Sequence, residues 1–227
     1  MSADGAVATS SSSREEVLRR IRKAIGEPPS PSAVIDREWQ AIPRNYKRTA
    51  SLDRDAILEM LEDRLRDYDA TVVRSKPGEI GAEIGRMLTH RGVRRLVIPA
   101  GLSEALGEPL PADFDFVVDH GMTPAELDGF EGVLTASTVA IAETGTIVLQ
   151  NVAGQGRRAP TLVPDYHLCV VRAAEVVETV PEAMARLQAT ATLATTFVSG
   201  PSATADIEMT RIKGVHGPRF LDVILVL

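Results

Sequence analysis

The chain has 227 residues, 44% of them hydrophobic, a net charge of -6, four histidines and one cysteine. That length fills one core of ordinary size with an appendage, rather than two full domains. The acidic balance speaks against a nucleic-acid binder, whose affinity rests on neutralising phosphates, and no apolar run approaches the ~20 residues that span a bilayer.

The opening MSADGAVATSSSS has no apolar segment of the kind a secretory signal needs, so a cytoplasmic protein is expected. Residues 1–12 read as low-complexity and disordered. Ser13-Arg14-Glu15-Glu16 is a capping-box pattern that opens a helix through Val17, Leu18, Ile21 and Ile25, ended by Gly26 and Pro28-Pro29. This helix either packs on its own domain or docks on a partner. Residues 28–46, with Trp39, read as an irregular linker. The expected organisation is thus a tail, capped helix and linker over 1–50, and the main domain over 51–227.

From Ser51 the pattern turns regular. Leu52, Ile57, Leu58, Leu61 and Leu65 form a helical stripe ending near Tyr68, and Thr71-Val72-Val73 a short strand. Pro77 opens a helix through Leu88 that Gly92 stops. Leu96–Ile98 and Phe116–Val118 are buried strands, and Thr123-Pro124-Ala125-Glu126 caps a short helix. Val133 to Ala142 and Thr146 to Leu149 read as a hairpin turning at Glu143-Thr144-Gly145, where Gly145 permits a left-handed conformation. His167 to Val171 is a strand, Thr179-Val180-Pro181-Glu182 opens a helix, Thr195 to Val198 is a strand, and Leu221 to Leu227 is a central one. Alternating strands and helices predict an α/β fold of three layers, helices on both faces of a mixed, largely parallel sheet.

Chemistry concentrates late in the chain. The hairpin turn presents the carboxylate of Glu143. Gly154-x-Gly156-x-x-Ala159 matches a dinucleotide fingerprint by letter, but Pro160 and Pro164 interrupt the helix whose N-terminus should cradle pyrophosphate, which removes the physics of that motif. The loop instead carries Arg157 and Arg158, whose guanidinium forks suit a carboxylate or phosphate, unless they are a solvated surface pair. Ser199-Gly200-Pro201-Ser202-Ala203-Thr204 leaves a strand and enters a helix. Its backbone N–H groups and the Ser202 and Thr204 hydroxyls form either an anion cradle or a simple N-cap. Its place after a strand favours the cradle, because open α/β sheets bind ligands outside the carboxyl ends of their strands.

His167 follows Pro164-Asp165-Tyr166, and His216 sits between Gly214 and Gly217-Pro218; either imidazole suits acid–base work or a structural turn. Asp165, His167, Asp206 and His216 lack HxH or HExxH spacing, so no metal site is assigned. A Ser202–His216–Asp206 triad lacks the GxSxG elbow. Cys169, in His167-Leu168-Cys169-Val170-Val171, reads as a small buried hydrophobe or as half of a Cys–His pair. One cysteine cannot supply the about four ligands of an iron–sulfur cluster. The candidate catalytic residues are Glu143, His167, Asp206 and His216. The candidate ligand-binding residues are Thr144, Gly145, Arg157, Arg158, Gly200, Ser202 and Thr204.

In that order AETGTIVL, the GxGRR loop with LVPDYH, SGPSATADIE and GVHGP resemble the lactate-utilisation protein C family, proteins with a LUD domain, and SREEVLRRIRKAI resembles its usual start. The resemblance implies a fold similar to the NagB/RpiA/CoA-transferase group. It also implies a role in bacterial oxidation of L-lactate to pyruvate beside two iron–sulfur partner subunits, this chain holding no cluster. A small carboxylate or other anion is the expected ligand, with Glu143, His167 or His216 accepting the hydroxyl proton. A second reading is a self-sufficient acyl- or CoA-transferase-like or ligase-like enzyme using Glu143, since related transferases place their nucleophile in a Glu-x-Gly turn. A third is a scaffold without a ligand.

Overall fold

The computed structural model describes residues 10–26, 32–201, 203–204, 212–213 and 217–227. Two compact units divide the chain at Tyr46 and Lys47.

The first unit contains α1 (Ser10–Ile25) and α2 (Ser32–Ala41). Helix α1 begins upstream of the expected cap, and residues 10–12 belong to it; residues 1–9 lie outside the described residues. Glu16, instead of reaching back to a cap, accepts hydrogen bonds of 2.9 Å from Arg19 Nε and Arg20 Nε. Helix α2 replaces much of the expected irregular linker. Arg44 folds over Trp39, 5.1 Å from the ring centroid, and donates to the Trp39 carbonyl at the helix end at 2.8 Å.

The second unit opens with α3 (Arg54–Asp67), capped by Asp53, whose side chain accepts from Ala56 N at 2.9 Å. There follow β1 (Thr71–Ser75), α4 (Ile80–Arg91), β2 (Arg95–Ile98), α5 (Leu102–Leu106), β3 (Asp115–Val118), α6 (Pro124–Leu127) and β4 (Gly132–Thr135). Then come β5 (Val139–Ile141), β6 (Thr146–Gln150), a 3-10 turn (Ala159–Thr161), β7 (Tyr166–Arg172), β8 (Val176–Val177) and α7 (Val180–Leu187). The chain closes with β9 (Thr195–Val198), β10 (Ala203–Thr204), β11 (Ile212–Lys213) and β12 (Phe220–Val226). Helices α6 and α7 start with the reciprocal capping boxes expected of Thr123 and Thr179. Pro77 precedes α4 in a turn and does not form its first turn.

The main sheet has six strands in the order β1-β12-β7-β4-β2-β3, every adjacent pair parallel. The fold is therefore α/β with a parallel sheet and helices. Strand β12 lies between β1 and β7, in agreement with its unbroken apolar sequence. One face of this sheet packs against α4 and α5 through Ile84, Leu88, Leu96, Leu168 and Ile224.

The mixed pairing demanded by the hairpin is present in a second, four-stranded sheet, β8-β5-β6-β9, in which β5–β6 and β6–β9 are antiparallel. The apolar run from Val133 to Ala142 is two strands in two sheets. The crossing at Ser137-Thr138 is satisfied by side chains, Ser137 Oγ donating to Glu175 at 2.6 Å and Thr138 Oγ1 to Gln155 Oε1 at 2.8 Å. Ile147, Leu149 and α3 cover the second face of the main sheet, on Cys169, Val171 and Val223. Beyond them α7 covers Val139, Ile141 and Val148.

Candidate functional site

A cavity of about 220 Å³ lies where the two sheets meet, lined among others by Arg158, Thr161, His167, Ser199, Gly200 and Leu221. His167 and Leu221 are register partners near the amino ends of β7 and β12, and Ser199 and Gly200 follow β9. The cavity thus sits towards the amino ends of the parallel strands, contrary to the expected position outside their carboxyl ends.

Among the described residues after Gly200 no helix starts: Ala203 and Thr204 pair antiparallel with Lys213 and Ile212. A strand pairing uses the backbone groups that a helix terminus would leave free, so Thr204 does not form the proposed cradle on a helix. Ser202, Asp206 and His216 lie outside the described residues, as does the Thr204 side chain. Gly200 has φ +77, and a Cβ there would stand 2.4 Å from Tyr68 Cβ, so only glycine fits this corner of the cavity.

The two arginines have different partners. Arg157 donates to Asp119 from Nε at 2.7 Å and Nη2 at 2.9 Å, and to the Met122 carbonyl from Nη2 at 2.5 Å. This fork holds the Asp119 carboxyl below its usual range, helped by N–H groups of Met122 and Gly121. Arg157 lines a cleft of about 520 Å³ at the carboxyl ends of β2 and β3, and shares a smaller one of about 80 Å³ with Arg158 and Thr161, but does not line the cavity of His167. Arg158 donates through Nη1 alone, to Thr161 O at 2.6 Å and Thr161 Oγ1 at 2.8 Å. Its Nε–Nη2 edge has no hydrogen-bond partner, and its charge no carboxylate, among the described residues. Burial lowers this guanidinium's pKa, but a guanidinium stays charged at any physiological pH.

His167 is 2% exposed. Burial, and then the Arg158 charge, push its pKa down to about 3, so the ring is neutral. Nε2 lies 2.9 Å from Thr135 Oγ1, whose hydroxyl is 3.6 Å from Cys169 Sγ. Burial pushes the Cys169 thiol up to about 12, so it is no thiolate nucleophile.

The hairpin tip is apart from this cavity. Glu143 is exposed and does not line it. Gly145 has φ +58 and packs so closely on α3 that a Cβ would lie 2.8 Å from Arg64 Cβ. Thr144 reaches the cavity only through hydroxyls, Thr144 Oγ1 to Thr146 Oγ1 at 2.7 Å and Thr146 Oγ1 to Ser199 Oγ at 2.8 Å. The structure therefore brings together Arg158, His167 and Gly200, and holds Glu143, Gly145 and Arg157 elsewhere. Asp165 is paired with Arg219, and among the described residues no group of three or more metal-binding side chains is found.

Three residues here had little signal in the sequence. Thr161 is legible only as a hydroxyl three positions after Arg158, and Thr135 is a lone polar residue in an apolar strand. Glu178 is fully enclosed; it accepts from Leu52 N at 3.0 Å and Ser51 N at 2.6 Å and pairs with Lys47. Those donors hold its pKa down to about 2, the Leu52 N–H foremost, followed by Lys47.

Fold and site together define an α/β protein with a small polar cavity between two sheets, lined by a guanidinium without a carboxylate partner among the described residues and by a buried neutral imidazole. A family model described as the LUD domain matches residues 126–226. The chain is 41% identical over 197 residues to lactate utilization protein C of Deinococcus radiodurans, covering 86% of this chain and 90% of that protein. It is 26% identical over 223 residues to lactate utilization protein C of Geobacillus thermodenitrificans, with 90% and 92% covered. A crystal structure of a DUF162 family protein from Deinococcus radiodurans matches with a TM-score of 0.67 at 39% identity, over 78% of this chain and 100% of that one. The chain belongs to the lactate utilization protein C family. Among the described residues no helix is long and apolar enough to cross a membrane.

Proposed function

We propose that this chain serves lactate utilisation as a subunit that binds a small carboxylate and holds no redox cluster of its own. The observation that carries this reading is the Nε–Nη2 edge of Arg158, without a hydrogen-bond partner among the described residues, at a cavity of about 220 Å³ that a neutral His167 also lines. An edge of two parallel N–H donors matches the two oxygens of a carboxylate. With a water taking about 30 Å³, the volume suits a three-carbon acid with some solvent rather than a nucleotide. The names of the relatives supply the metabolic context.

In this proposal residues 51–227 carry the site. As the family resemblance implies, the electrons of lactate oxidation would be held on iron–sulfur clusters of two partner subunits; the one thiol of this chain, Cys169, is buried and cannot by itself hold a cluster. The test is a deletion strain grown on L-lactate as sole carbon source. Growth should be lost, restored by the wild-type gene and not by Arg158→Ala. Full restoration by Arg158→Ala, or unimpaired growth of the deletion strain, would refute the reading.

A further inference from the structure

We infer that the chain pairs with a second copy of itself through the outer edge of β9, the two β9 strands running antiparallel about a two-fold axis so that the second sheet continues from one protomer into its partner.

The sheet β8-β5-β6-β9 ends at β9. In an antiparallel ladder every second residue turns its N–H and C=O away from the strand it is paired with. For Thr195–Val198 those outward groups have no backbone partner among the described residues. Chains that remain single guard such an edge with a charge, a proline or a bulge. The outer strands of the main sheet are guarded in this way: β1 carries Arg74, paired with Glu62, and β3 carries Asp115, 3.1 Å from Arg95. Strand β9, Thr195-Thr196-Phe197-Val198, has neither charge nor proline, and its register with β6 is unbroken.

An apolar groove runs beside that edge. Phe197 is the register partner of Val148, which α7 covers, so Phe197 lies on the α7 side of the sheet. The groove there has a volume of about 480 Å³ and is lined among others by Met184, Ala185, Gln188, Ala191 and Phe197. Met184 is 52% and Phe197 50% exposed, a large apolar surface for two neighbouring side chains. A two-fold axis normal to the sheet keeps both α7 helices on one face. Each protomer's Met184 and Phe197 then come up against the same groove on its partner.

Charge selects a second copy as the occupant. Across a two-fold contact a residue near the axis faces its own counterpart, so any charge there meets a like charge. The chain has 25 basic and 31 acidic residues, yet none lines this groove and none stands in β9. A strongly basic or acidic partner finds no counter-charge on this face. Two chains of net charge -6 repel over the rest of their surfaces, so screening by salt favours this contact. Strand β9 also leads into Ser199 and Gly200, so the same contact steadies one wall of the polar cavity.

Sedimentation equilibrium of the full chain tests the inference. A particle of twice 24.4 kDa is expected at about 10–100 µM protein, and its dissociation constant should hold or fall as salt rises from about 0.05 to 0.5 M. Phe197→Glu and Met184→Glu, at exposed side chains, should each raise that constant at least about tenfold while the far-ultraviolet spectrum stays that of the wild type. A bis-maleimide should join two copies of Thr195→Cys, since Cys169 is buried, and should not join two copies of Val118→Cys on the exposed edge strand β3. A monomer throughout, a dimer that salt dissolves, a dimer indifferent to both glutamate variants, or cross-linking through Val118→Cys alone overturns the inference.

Discussion

Arg157 is closed onto Asp119 by hydrogen bonds of 2.7 and 2.9 Å, and this pairing distinguishes it from its neighbour Arg158, which has no carboxylate partner among the described residues. Asp119 is only 7% exposed at its side chain and needs that partner. Arg158 is held through Nη1 by Thr161, and its Nε and Nη2 have no hydrogen-bond partner among the described residues.

The two alanine variants should therefore differ in kind. Arg157→Ala leaves a largely buried carboxylate with fewer donors and should cost about 1–3 kcal/mol of stability, read by denaturant unfolding. Arg158→Ala should change stability by less than about 0.5 kcal/mol while weakening lactate binding more than about tenfold. Similar effects of both variants on binding would show that the arginines act as a pair.

Acid lability should arrive in two steps. His167 has a folded pKa near 3 against an ordinary 6.5, so the unfolded chain binds its proton first. Its contribution to stability is complete above about pH 6.5 and declines as pH falls below it. Glu178, held down to about 2 against 4.5, contributes stability that is present above about pH 4.5 and is lost as pH falls towards 2. Unfolding free energies measured from pH 8 to pH 3 should fall gently below 6.5 and more steeply below 4.5. Glu178→Gln should remove the Glu178 contribution to the lower step and lower stability at pH 7, and an unchanged lower limb would contradict the role given to that carboxylate.

Glu143 should be dispensable for binding. Exposed at the hairpin tip, it faces no described wall of the cavity. Glu143→Gln should bind L-lactate within about twofold of wild type. Intact mass after incubation with an acyl-CoA should show no adduct; an adduct abolished by Glu143→Gln would instead support a transferase.

Cys169 should be silent to thiol reagents in the folded state. The thiol is fully buried and its pKa is raised to about 12. Alkylation by iodoacetamide at pH 8 should proceed only through opening of the fold, at least about a hundredfold slower than in denaturant. Rapid native labelling would reopen a Cys–His reading of His167 and Cys169.

Much of the architecture is legible from local pattern. The stripe over Ile57, Leu61 and Leu65, the capping boxes at Thr123 and Thr179, and the unbroken apolar β12 each follow from short-range chemistry. What pattern does not carry is the sheet a strand joins. Nothing in the period of Val133 to Ala142 says that the chain changes sheets at Ser137, because that depends on partners 17 and 38 residues away, Gln155 for Thr138 and Glu175 for Ser137. Helix α2 is concealed by prolines at 28, 29, 31 and 43, which flank the helix without entering it. At the site, Arg158 and His167 stand out by residue type. Asp119, Thr135 and Glu178 are visible only once folding supplies their partners.

The most direct measurement is a crystal structure of the chain with L-lactate bound. The account predicts the lactate carboxylate on Arg158 Nε and Nη2, in the cavity that His167 lines. Lactate found on Arg157 in the cleft at the carboxyl ends of β2 and β3, or at the Glu143 turn, would contradict it.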